Sequence, residues 1–273
     1  MELTNSVNIP PRPALLMALQ REMALQEPNI KKVSQLINRD VAITGNLISM
    51  ANSAMFNLRK KLTSVEDTVL LIGLNHCSAL VTGLLTKRIL ANGKMMMPRF
   101  WDVSEKRAWG MTYLAKQLRI SSVGAAHNFG LFCDIGIPLM MGSFPNYLET
   151  LHLANQMETD QFTQLENRRH RINHALVGAM LTEHWGIDGD IVSAIKHHHT
   201  HHVLQDQTFS EPVRKLLAMH FVVEKAIQEY RNVPAAEWEI IGADASRILN
   251  LSEDDVVVFS EIFRNQFGGA RHH

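Results

Sequence analysis

Cysteine is nearly absent from this chain of 273 residues, which has only Cys77 and Cys133. Two thiols cannot form a disulfide framework, so the sequence points to a reducing, cytoplasmic setting. An excess of charge is missing as well, because 27 basic side chains meet 27 acidic ones. Nothing therefore draws the whole chain toward nucleic acid or an anionic membrane, and neither is expected as a partner. No apolar run approaches the ~18 residues of a membrane span. The start, Met1-Glu2-Leu3-Thr4-Asn5, lacks the basic residues of a signal peptide. Long apolar–polar alternation, the mark of half-buried strands, is absent. So are a nucleophile elbow, a Ser/His/Asp order and a phosphate-cradling glycine loop. Against these gaps stand a hydrophobic content of 46% and fourteen histidines, five of them between residues 197 and 202. The first suffices for a real core or two. The second raises a question of chemistry, since histidine is the commonest metal ligand and proton carrier among side chains.

Helical spacing dominates the chain. After Pro10-Pro11-Arg12-Pro13, Leu15, Leu19 and Met23 lie four apart. Asp40 is placed to cap a helix carrying Ile43, Leu47, Ile48 and Ala51. Ser64-Val65-Glu66-Asp67 has the form of a capping box ahead of Val65, Val69 and Ile72. Cys77, Leu80, Val81, Leu84 and Leu85 give the next stripe. Asp102 with Glu105 marks a later helix start, with Ala108, Met111, Ala115 and Leu118 on its apolar face. Residues 126–142 read as two pieces broken near Gly136-Ile137-Pro138, followed by helices near 145–157 and 160–170. His174, Gly178, Leu181 and Trp185 share one face, as do Ile191, Ala194, Ile195 and His198. Ser210 begins a long helix with Val213, Leu216, Leu217, His220 and Ile227, and Ser252 with Asp255 caps a last one. The reading is all-α in three parts: residues 1–92, residues 93–204 and an extension over 205–273.

Several ordered motifs carry a resemblance. They are Ile9-Pro10-Pro11-Arg12-Pro13, Leu36-Ile37-Asn38-Arg39-Asp40, Ala51-Asn52-Ser53-Ala54, and Ser64-Val65-Glu66-Asp67-Thr68 with Leu71-Ile72-Gly73-Leu74. Phe100-Trp101, Gly130-Leu131-Phe132-Cys133-Asp134-Ile135-Gly136, His174-Ala175 with Gly178, Trp185-Gly186 and Ala194-Ile195-Lys196-His197-His198 continue it. Over roughly residues 8–204 the chain resembles the HDOD family, the bacterial signalling offshoot of the HD phosphohydrolase superfamily. The resemblance implies an N-terminal short-helix bundle packed on an HD-like helical bundle.

HD phosphohydrolases hold one or two divalent metals on histidines and aspartates, polarising a phosphoryl oxygen and activating water. In this chain the resemblance maps onto an eroded set. The His-Asp pair reads Cys133-Asp134, the earlier histidine falls at Val103 or Ser104, and no Asp lies between Asp206 and Asp244 to supply the late aspartate. Asp134, His174 and His198 survive as candidate metal ligands, with His199 and His220 as helpers. Periodicity turns His174 and His198 inward, while His197 lies about 100° around the helix and His201 and His202 follow its end. Two plainer readings stand beside this one. His174 and His198 can be core histidines satisfied by hydrogen bonds, and the histidine run can be a solvated helix end favoured by the C-terminal dipole. Cys133 reads either as a thiolate ligand or as a small buried hydrophobe. The expected function is regulatory rather than enzymatic: a degenerate site, no required cofactor, and signalling proteins or a nucleotide-like regulatory ligand as partners. The alternative is a phosphohydrolase or phosphodiesterase using a single divalent metal on Asp134, His174 and His198.

Overall fold

In a computed structural model the described residues are 7–53, 58, 61–91, 97–120, 122–155 and 159–269. They contain helices and no strand, as the spacing predicts. The chain divides into two units, one over Pro10–Met96 and one over Met97–His273 with Met1–Ile9. The expected boundary at residue 92 falls outside the described residues.

The first unit consists of α1 (Ala14–Met23), α2 (Ile30–Asn38), α3 (Val41–Ala51), α4 (Val65–Ile72) and α5 (Leu74–Ala91). Side chains start three of these helices: Asn29, Asp40 and Ser64 accept the backbone N–H groups of Lys32, Ile43 and Asp67. The capping box differs in one bond. The Ser64 hydroxyl donates to the Asp67 carboxylate at 2.7 Å, so the two side chains brace each other. The inner face of α1 is Leu16, Leu19 and Glu22, rotated from the expected Leu15, Leu19 and Met23. Glu22 tolerates burial because its carboxylate accepts the Asn29 N–H at 3.1 Å and pairs with Lys32 at 2.5 Å. Helix α5 is buried almost all round from His76 to Thr86 rather than along one stripe. Thr82 and Thr86 are accommodated there by donating to carbonyls four residues back, each at 2.8 Å.

The second unit contains α6 (Pro98–Leu118), α7 (Val123–Phe132), α8 (Gly136–Ser143), α9 (Tyr147–Ala154), α10 (Thr159–His170), α11 (His174–His184) and α12 (Gly189–His197). A short 3-10 turn, His201–Leu204, leads to α13 (Glu211–Tyr230), α14 (Ala236–Leu249) and α15 (Glu253–Gly269). Helix α6 starts at Pro98, not Asp102: proline suits the first turn because its missing N–H would be unpaired there anyway. Asp102 instead pairs with Lys106 one turn on. The break between α7 and α8 falls at residues 133–135, and Gly136-Ile137-Pro138 forms the first turn of α8. Helices beyond residue 204 belong to this unit's core. The middle of α13 is buried from Leu216 to Val223, and the helix packs on α6, α7, α12, α14 and α15. An aromatic ladder docks α15 on α6, with Trp109 and Tyr113 meeting Phe263 at ring distances of 5.5 and 5.7 Å.

Two glycines set the close approaches on which the site depends. A Cβ on Gly130 would lie 2.8 Å from the Ala108 Cα, so α7 rests directly on the α6 backbone. A Cβ on Gly136 would lie 1.9 Å from the His174 carbonyl oxygen, so α8 begins against the start of α11.

Gly136→Ala is expected to lower stability by at least about 2 kcal/mol, since backbone must shift, whereas Gly142→Ala, with open space around it, should not. Asn52 gives a second test. Its amide donates to the Ile48 and Leu62 carbonyls and accepts the Leu62 N–H, all within 2.9 Å. Asn52→Ala should cost about 1–3 kcal/mol in urea unfolding.

Candidate metal centre

Three short-range features of the sequence fix the candidate ligands on their elements. Asp134 sits in the tight connection between α7 and α8, flanked by fully buried Cys133 and Ile135, which hold its backbone in place. His174 opens α11 behind the Asn173 cap, which accepts the Leu176 N–H at 2.9 Å. His198 closes α12, and its neighbour His199 follows. The Asp134 Oδ1 lies 3.2 Å from His198 Nε2 and 3.5 Å from His174 Nε2. His174 Nε2 is 3.3 Å from His198 Nε2 and 3.0 Å from His199 Nε2. All four ligand atoms lie within 4.8 Å of one another.

Hydrogen bonds behind the rings decide which nitrogens face inward. His174 Nδ1 lies 2.8 Å from the Glu166 carboxylate, which also accepts the His174 backbone N–H at 3.1 Å. Glu166 is itself fully buried and takes a hydrogen bond from the Tyr147 hydroxyl. His198 Nδ1 donates to the Ile195 carbonyl at 2.7 Å. Both rings therefore carry a proton on Nδ1 and turn Nε2 toward Asp134. A carboxylate or carbonyl behind each ring is the support that metal-binding histidines commonly have.

This arrangement needs a positive charge at its centre. Nε2 of two imidazoles and a carboxylate oxygen approach one another at 3.2 to 3.5 Å. A tetrahedral ion with ligands at 2.0–2.1 Å would space them roughly 3.3 Å apart. The donor set, three imidazoles and a carboxylate, suits a divalent first-row metal such as zinc. Without an ion the charge must come from protons. Burial opposes a charge on His174, but Glu166 and Asp134 outweigh it and raise its pKa to about 9. Burial also works against an ionised Asp134, yet Arg107 and hydrogen bonds from His174 and His198 hold its carboxyl well below the usual range. Burial, together with the neighbouring His198 and His174, pushes His199 well down.

Asp134, His174 and His198, the ligands expected from the sequence, lie together, and His199 completes the group. His220 lies beside it, its Nδ1 3.9 Å from the Cys133 sulfur and its ring against Phe129. Cys133 points at His220 rather than into the cluster. Burial, then the Asp134 charge, raise its thiol well above the ordinary value, which keeps it protonated. Val103 and Ser104, where the resemblance places an earlier histidine, supply no ligand to the group. The histidine run is not a solvated end: His198 is buried, His197 and His199 are half-buried, and His201 pairs with Glu237 at 2.7 Å. Among these five, His202 alone is exposed.

Sequence reasoning missed three charged residues. Glu166 holds His174, while Arg107 donates to Asp134 at 2.9 Å and to Glu224 on α13. A signal existed for Arg107, which shares the inward stripe of Trp101, Ser104, Ala108 and Met111 on α6. Glu166 and Glu224 look like ordinary surface residues until their partners are known.

An HDOD domain model matches residues 9–201, and the chain belongs to the HDOD family. An uncharacterized protein of Treponema pallidum (strain Nichols) is 23% identical over 193 residues, 70% of this chain and 38% of that one. The chain thus spans less than half the length of the curated relatives it matches, 38% and 24% of two of them. An HDOD domain protein of unknown function from Geobacter sulfurreducens has the same fold, with a TM-score of 0.74, 18% identity, and coverage of 97% and 95% of the two chains. A Shewanella amazonensis SB2B protein carrying a phosphohydrolase name gives 0.72, 19% identity and coverage of 97% and 94%. A Marinobacter aquaeolei VT8 protein named for signal transduction gives 0.65, 16% identity and coverage of 98% and 61%.

The pH dependence follows from His174. With its pKa raised from 6.5 to about 9, its charge adds stability that is complete below pH 6.5 and lost as pH rises through 9. Chelated protein is therefore expected to lose on the order of 3 kcal/mol across that window. His174→Gln should flatten the slope in urea titrations at successive pH values. Metal affinity should show the opposite trend, because the ion and the proton compete for Nε2.

Proposed function

We propose that this HDOD chain is a regulatory, non-catalytic module that acts through contacts with signalling proteins or through a nucleotide-like regulatory ligand. In this reading Asp134, His174, His198 and His199 hold one divalent ion that ties α11 and α12 to the turn before α8. The observation carrying it is the burial of the two central ligands: His174 is 0% exposed and His198 2%, with Asp134 and His199 half-buried at the edge. Structural metal sites are closed in this way, whereas catalytic ones keep an open position for water and substrate. Erosion of the His-Asp pair to Cys133-Asp134, with the thiol protonated and turned toward His220, agrees with it. No helix among the described residues is long and apolar enough to cross a membrane, which agrees with the cytoplasmic setting proposed for such a module.

The second reading is metal-dependent phosphohydrolysis on Asp134, His174 and His198. Its support is Asp134, whose side chain is 22% exposed while the histidines behind it are closed. A bound ion would supply a Lewis acid for a phosphoryl oxygen.

Elemental analysis after chelation and reloading separates these readings, done on protein carrying His272→Ala and His273→Ala so that the terminus binds nothing. The expected result is about one ion per chain, lost in Asp134→Ala and His174→Ala, with no turnover of phosphodiesters or nucleotides. Metal content unchanged in both variants would remove the metal from this reading. Turnover that disappears in both would replace the regulatory reading with the enzymatic one.

A further inference from the structure

Arg107 is buried beside the cluster, at 4% exposure. Its Nη2 donates to Asp134 Oδ2 at 2.9 Å, and its Nε donates to Glu224. The other Asp134 oxygen, Oδ1, faces His198 and His174. One carboxylate thus offers one oxygen to the histidine cluster and the other to a guanidinium. A carboxylate bridging two metal ions divides its oxygens in the same way. The groups around the guanidinium are also of ligand type: Glu224 touches it, and Cys133, next to Asp134 in the chain, pairs with His220. Its Nη1 is buried without a hydrogen-bond partner, so hydrogen bonding alone does not account for its placement.

We propose that Arg107 occupies, as a built-in cation, the place a second metal would take, so that this chain accepts one divalent ion and excludes another. The proposal rests on the reading that the four-residue cluster takes an ion at all. The physical case is one of charge and space. A guanidinium stays positive at every physiological pH and only donates hydrogen bonds, so it cannot be displaced by deprotonation or serve as a ligand. Asp134 Oδ2 and Glu224 are the carboxylates a second ion would need, and both already accept hydrogen bonds from the guanidinium. The substitution also has a chemical consequence. A guanidinium can hold an oxyanion, but unlike a metal it cannot lower the pKa of a bound water to make a nucleophile.

The 273-residue chain, chelated and then reloaded with excess Mn²⁺, tests this. Wild type should retain one ion per chain after desalting and give the six-line EPR spectrum of an isolated ion. Arg107→Met, checked for folding by circular dichroism, should retain two and show spin coupling. Adding Glu224→Gln to Arg107→Met should return the count to one, and Arg107→Lys, which keeps the charge, should remain at one. Two ions or a coupled spectrum in wild type overturns the proposal, whether or not any variant folds. A folded Arg107→Met protein that gains no ion overturns it too. If wild type binds none, the single-ion reading of the cluster fails by itself. The role of Arg107 is then decided by whether Arg107→Met gains an ion over wild type, which supports it, or does not, which overturns it.

Discussion

The Asp134 carboxylate lies between two buried groups and is shared by both, Arg107 on one side and the histidine cluster on the other. Removing one partner of such a buried pair leaves an uncompensated charge, a cost of about 3–5 kcal/mol. Arg107 is carried by α6, the histidines come from α11 and the end of α12, and Glu224 comes from α13. Four helices are therefore oriented around one side chain. Their apolar faces supply most of the packing, but the register in which they meet is the one that satisfies Asp134.

Small residues make that register reachable. Gly130 lets α7 lie on the backbone of α6 beside Arg107, and Gly136 lets α8 begin against the carbonyl of His174. Asp134 falls between these two contacts, and its neighbours Cys133 and Ile135 are fully buried. A second layer then fixes the rings. Tyr147 and Glu166 hold His174, and a carbonyl of its own helix holds His198. The orientation of each Nε2 is thus set by groups on the far side of the ring, a form of support that persists whether a proton or an ion occupies the centre.

Features that depend on near neighbours were legible in the sequence. The Asp40, Ser64 and Ser210 caps act over three residues. His174 and His198 were legible as inward positions because helical spacing puts them in line with Trp185 and Ile191. Where tertiary packing chose between adjacent faces, the pattern was less decisive. Leu16 lies inward where Leu15 was expected, and α14 was not read at all because its buried residues Ile241, Ala245 and Leu249 are set among polar ones. The candidate site divides in the same way. Asp134, His174 and His198 belong to family motifs, whereas Arg107 and Glu224 stand 117 positions apart and are recognisable only as a pair.

The sequence by itself determined the helices, their caps and the inward faces carrying His174 and His198, because 3.6-residue periodicity and capping are local properties of the chain. Its fourteen histidines and two cysteines left open whether those residues were ligands or filler. Tertiary structure alone decided that His199 joins the cluster, that Cys133 stays out of it, and that a guanidinium stands against Asp134. Each of these outcomes depends on the burial of charges between helices distant in sequence. A buried charge has no preferred state until its partner is in place.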